Sequence, residues 1–120
     1  MKNQPLKRKF GFAWKGIVYA THTEANMRRH WVMAALVLLL FLWLQPSALW
    51  WALIILCISL VIAAELANSA IEVLIDHMHP ELHPQIGRTK DMLAGMVLIL
   101  SLCAGAIGLL AILATQGLLL

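Results

Sequence analysis

Apolar and polar positions divide this chain into three long hydrophobic runs and the polar breaks between them. The first run extends from about Trp31 to Leu44, and the second from Leu49 through Ala64 into a mixed stretch that ends near Asp76. The third covers about Thr89 to Gln116. Since a membrane span takes about 20 residues, the runs predict transmembrane helices over 29–45, 48–76 and 89–116. The break at Gln45-Pro46-Ser47 is a short turn: Pro46 interrupts the helix and Ser47 is placed to cap the next one. The break over 77–88 carries two prolines and a glycine and reads as a connector.

Ahead of the first run, residues 5–23 mix Lys7, Arg8, Lys9 and Lys15 with Phe10, Phe12, Trp14, Ile17 and Tyr19. This pattern predicts an amphipathic helix at the headgroup level, although it also fits a positive topogenic tail without chemistry. Gly11 and Gly16 are expected to weaken its continuity. Arg28, four residues after Glu24, is placed to pair with it on a helix.

Composition agrees with the pattern. The chain is 62% hydrophobic and 12% charged, against roughly 45–50% and 25% in soluble domains. A single all-α membrane domain over 1–120 is expected, which leaves no room for a separate nucleotide-binding domain. Cys57 and Cys103 lie inside apolar runs and read as packing residues. The first apolar run follows the Glu24–His30 stretch and has no small-residue cleavage site, so no cleavable leader is expected. Lys2, Lys7, Arg8, Lys9, Lys15, Arg28, Arg29, Arg88 and Lys90 all fall in the N-terminal segment or around the second connector. The positive-inside rule then puts both on the cytoplasmic side.

The chemistry is concentrated where the second run becomes polar. Glu65, Asn68, Glu72 and Asp76 are spaced close to whole helical turns, so three carboxylates and an amide share one face. A charged side chain within a membrane helix costs about 3 kcal/mol even on lenient scales, and marks a functional site by default. Pairing with basic residues between helices is the structural alternative. Mg²⁺ takes one or two carboxylates plus phosphates and water, which suits Glu24 with Glu72. Glu65 is the deepest of the acids and suits deprotonation of a lipid alcohol. His77, His79 and His83 match no zinc pattern and read as solvated. No Walker loop, dinucleotide fingerprint or protein-kinase signature occurs.

Glu65-x-x-Asn68-Ser69-Ala70-Ile71-Glu72-x-x-Ile75-Asp76 resembles the signature of the small bacterial membrane lipid kinases, the prokaryotic diacylglycerol kinase and undecaprenol kinase family. Gly11-Phe12-Ala13-Trp14-Lys15-Gly16, Glu24 and Gly87-Arg88-Thr89-Lys90-Asp91-Met92 extend the likeness over nearly the whole chain. The resemblance implies an ATP- and Mg²⁺-dependent kinase of the bacterial inner membrane, homotrimeric, acting on a lipid alcohol and without a nucleic-acid partner. It implies Glu65 as catalytic base and Glu24 and Glu72 as holders of the metal-bound nucleotide. Asn68, Lys90 and Asp91 complete the site, and Glu81 and His83 contact the nucleotide.

Asn26, His30, the His83-Pro84 pair and Leu93-Ala94-Gly95 look more like the undecaprenol branch, so that lipid stays beside diacylglycerol as the expected substrate. An ion-conducting protein or a structural subunit are the remaining classes.

Overall fold

The computed structural model describes residue 3 and residues 5–119; Lys2, used above for orientation, lies outside them. Four helices follow in order: α1 Leu6–Thr23, α2 Ala25–Leu44, α3 Ala48–Met78 and α4 Pro84–Thr115. Among the described residues there is no strand. The helices α2, α3 and α4 are each long and apolar enough to cross a membrane. This is an all-α membrane protein.

Helix α1 runs unbroken through Gly11 and Gly16, contrary to the weakening expected of those glycines. Its C-terminal carbonyls are held from the next helix. The Arg28 guanidinium donates to the carbonyls of Thr21 at 3.0 Å and His22 at 2.9 Å, which satisfies groups that a helix end leaves unpaired. The indole of Trp31 adds a bond to Thr21 Oγ1 at 3.0 Å. The expected pairing of Arg28 with the Glu24 carboxylate is therefore not formed. Glu24 is the extended N-cap of α2 and meets Arg28 only through the backbone, the Arg28 amide donating to the Glu24 carbonyl at 3.3 Å, while the guanidinium is turned back to α1.

The turn between α2 and α3 is closed by Gln45, left-handed at φ 51° and ψ 58°, with its amide donating to the Phe41 carbonyl at 2.8 Å. This is the αL way of ending a helix. Ser47 occupies the N-cap of α3, but its side chain makes no capping bond. At this end of the bundle Phe41, Ile54 and Ala111 bring α2, α3 and α4 into a common core. Trp51 meets Phe41 edge to face at 5.4 Å.

The 31 residues of α3 make a helix about 46 Å long at 1.5 Å per residue, well beyond a hydrocarbon core of about 30 Å. Its C-terminal turns, which carry the acids, extend past the apolar layer. Helix α4 starts at Pro84, earlier than the span expected from Thr89. Proline is favoured in the first helical turn, where its missing N–H costs nothing, and the His83 ring nitrogen Nδ1 accepts from the Gln85 amide at 3.1 Å. Helix α4 packs chiefly along α3 and α2 packs less closely, which leaves a groove of about 610 Å³ among the three.

Candidate active site

The polar face read from the sequence is a physical face of α3. Glu65, Asn68 and Ser69 are buried, and Glu72 one turn further on is half-buried. A membrane-embedded helix that buries a carboxylate and an amide side by side sets aside costly surface for a purpose. Asn68 Oδ1 is the one buried side-chain polar atom without a hydrogen-bond partner among the described residues.

Two other elements converge on this face. The α1–α2 junction brings Glu24, and the carboxylate of Glu72 lies within electrostatic reach of Glu24, Lys90, Asp76 and Glu65. Helix α2 brings His30, whose Nε2 stands 3.5 Å from Glu65 Oε2. Neither Glu24 nor Glu72 makes a side-chain hydrogen bond or an ion pair with a described residue. Their oxygens are free to accept from, or coordinate, a ligand.

Lys90 enters from the second turn of α4 and bonds Asp76 Oδ1 at 2.6 Å. Past it lies a hollow of about 340 Å³ lined by Asp76, His79, Glu81, His83, Ile86 and Lys90 among others. Glu81 and His83 are exposed there, and the rings of His79 and His83 meet edge to face at 6.1 Å. No group of three or more metal-ligating side chains gathers among the described residues. Asp91 is exposed and without an ionic partner among those residues. The structure thus joins Glu65, Asn68, Glu72 and Glu24 at one place and sets Lys90, Glu81 and His83 around the hollow, with Asp91 next to Lys90 on α4 and exposed.

A profile of the prokaryotic diacylglycerol kinase family matches residues 11–112. The chain belongs to that family. It is a membrane lipid kinase, an enzyme that transfers phosphate from ATP. Diacylglycerol kinase of Escherichia coli (strain K12) is 38% identical over 89 residues, covering 74% of this chain and 73% of its own length. Undecaprenol kinase of Bacillus subtilis (strain 168) is 33% identical over 103 residues, with 86% and 84% covered. A diacylglycerol kinase of Synechocystis sp. is 31% identical over 100 residues, covering 82% of this chain and 57% of its own.

Two contacts of this kinase carry no local sequence signal: spacing puts Asp76 on a face without naming its partner, and His30 stands out only by its likeness to the undecaprenol branch. Each is paired with a residue on another helix, and only the packing of α2 and α4 on α3 reveals it.

Proposed function

We propose that this lipid kinase phosphorylates diacylglycerol to phosphatidic acid, with Glu65 as the base that takes the lipid hydroxyl proton. The observation that carries the reading is the burial of Glu65 beside the unpartnered Asn68 Oδ1, about two turns and one turn before Glu72 respectively. A carboxylate placed at the edge of the apolar layer can meet a lipid alcohol that soluble groups cannot reach. Phosphoryl transfer otherwise needs positioned charge around the phosphates and an oriented nucleophile.

Glu24 and Glu72 fit a hard divalent cation: two carboxylates from separate elements, neither engaged by a described basic side chain. They would hold Mg²⁺, which neutralises charge on the nucleotide phosphate oxygens. Lys90 adds positive charge at the same end, and Glu81 and His83 line the hollow where the rest of the nucleotide is received. Asp91 completes the site.

The same reading places the N-terminus and this end of the bundle on the cytoplasmic side of the inner membrane, which the distribution of Lys and Arg supports. It also makes the enzyme a homotrimer with sites at subunit boundaries. In support, the small residues Ser101, Ala104, Gly105 and Gly108 of α4 face the groove, and a Cβ added at Gly105 or Gly108 would meet nothing within 4 Å in the protomer. Stripes of small residues allow a further helix to approach closely.

Undecaprenol is the second candidate substrate, favoured by the longer match to the Bacillus subtilis undecaprenol kinase and by His30 and Asn26 after Glu24. Transfer of labelled γ-phosphate from ATP to each lipid alcohol in mixed micelles tests the proposal. Labelled phosphatidic acid is the expected product; label confined to undecaprenyl phosphate would transfer the assignment to the second lipid, and label in neither would remove both.

A further inference from the structure

We propose that His30 is a positioning residue for Glu65, holding one carboxylate oxygen so that the other faces the lipid hydroxyl. The proposal rests on the reading of Glu65 as the base. Its ground is the 3.5 Å approach of His30 Nε2 to Glu65 Oε2, with the Glu65 side chain 4% exposed and the imidazole 23% exposed. Neither group has another hydrogen-bonding or ionic partner among the described residues.

A glutamate needs such a partner to act as a directed base. The torsion that sets its carboxylate plane is broad and nearly two-fold, so burial alone does not aim an oxygen. One fixed donor does. An imidazole N–H normally closes to about 2.9 Å from its acceptor, so the pair must close by about 0.6 Å from the observed 3.5 Å to form that bond.

The neighbouring cations are not alternatives. Arg28 is committed to the carbonyls of Thr21 and His22, and Arg29 donates to Asn26 Oδ1 at 2.6 Å. From α3 the nearest polar groups on the shared face are Asn68 and Glu72, and the Lys90 of α4 is engaged by Asp76. His30 is therefore the donor that α2 presents to Glu65. The imidazole also lines the groove among α2, α3 and α4, which apart from Arg29 and Ser101 is otherwise lined by apolar residues and glycines, and low polarity strengthens a hydrogen bond to a carboxylate.

In the transfer step the lipid O–H bond breaks and its proton passes to Oε1 of Glu65. The lipid oxygen bonds to the γ-phosphorus, while the bond from that phosphorus to the bridging oxygen of ADP breaks and the ADP oxygen keeps the electron pair. His30 makes and breaks no bond in this step. It fixes Oε2 throughout.

The test compares wild type, His30→Ala, His30→Gln and Glu65→Gln for phosphate transfer with and without added imidazole, with thermal unfolding of each in detergent. His30→Ala is expected to lose roughly 10- to 100-fold in kcat, the scale of a misplaced catalytic group, with KM for Mg·ATP unchanged. His30→Gln keeps an N–H donor and is expected to retain most of the turnover, and free imidazole is expected to restore His30→Ala while leaving Glu65→Gln as it was. Turnover of His30→Ala within twofold of wild type would overturn the proposal, as would a loss that neither glutamine nor imidazole lessens. Should His30→Ala fail to fold, His30→Leu, similar in bulk and without a donor, replaces it in the same comparison. Near-normal turnover of Glu65→Gln would instead strike the base reading itself, a result separate from any failure at His30.

Discussion

Lys90 Nζ lies 2.6 Å from Asp76 Oδ1 and so ties the last turns of α3 to the first turns of α4. The two side chains are 35% and 63% exposed, and ion pairs that open to water contribute little to stability. The effect of the pair is therefore expected in catalysis. Asp76→Asn leaves the unfolding temperature nearly unchanged and frees Lys90 to wander, lowering kcat by less than the roughly 100-fold that displacing a catalytic group by about 1 Å costs. Lys90→Ala, which removes the charge itself, is expected to lower kcat further. Steady-state kinetics of both variants beside their melting curves check this; an Asp76→Asn enzyme more impaired than Lys90→Ala contradicts it.

The carboxylates assigned to the metal give a second expectation. Loss of an outer partner of a bound metal ion costs about 10- to 100-fold in metal affinity, so loss of a direct oxygen ligand costs at least as much. Glu24→Gln and Glu72→Gln are each expected to raise the Mg²⁺ concentration needed for half-maximal activity by about tenfold or more. A titration of activity with Mg²⁺ at fixed ATP measures it, and an unchanged midpoint in both variants removes these residues from the role.

Arg28 offers a test of how α1 is coupled to the site. Its two bonds to the end of α1 are exposed, which limits their worth to about 1 kcal/mol. Glu24 sits in the joint they brace. Arg28→Ala is thus expected to lower stability by about that amount and also to raise KM for Mg·ATP. Thr21→Val, which removes the acceptor of Trp31, should move both quantities the same way and by less. A change in stability alone would uncouple the joint from nucleotide binding.

The far end of the bundle serves as the opposite control. Phe41 is fully buried against Ile54 and Ala111, and it is remote from the acidic face along α3. Truncating a buried phenylalanine costs about 3–5 kcal/mol in a water-soluble core, and less where lipid offers the exposed groups an apolar solvent. Phe41→Ala is expected to lose about 2 kcal/mol or more on the same principles while kcat of the folded enzyme stays near wild type. Unfolding in detergent and turnover at a permissive temperature separate the two.

What the sequence reveals and what it withholds divides along physical lines. The shared face of Glu65, Asn68, Glu72 and Asp76 is legible because it follows from helical spacing alone, and the three apolar spans follow from length and hydropathy. The start of α4 is less legible: prolines read as breaks, whereas Pro84 opens a helix with His83 capping it. The end of α1 is tied by Arg28 and Trp31 reaching back from α2, contacts that no local pattern states. The partners of Glu65 and Asp76 are equally hidden, since His30 and Lys90 reach them only once the helices pack.

The central claim, that Glu65 is the base of a lipid kinase, is tested most directly by the turnover of folded Glu65→Gln protein on diacylglycerol and on undecaprenol. Glutamine keeps the size and hydrogen-bonding capacity of the side chain and removes its basicity. General base catalysis contributes about 10²- to 10⁴-fold, so turnover on the true substrate is predicted to fall by that factor, with KM for Mg·ATP and the unfolding temperature nearly unchanged. Near-normal turnover of the variant on either lipid would contradict the account.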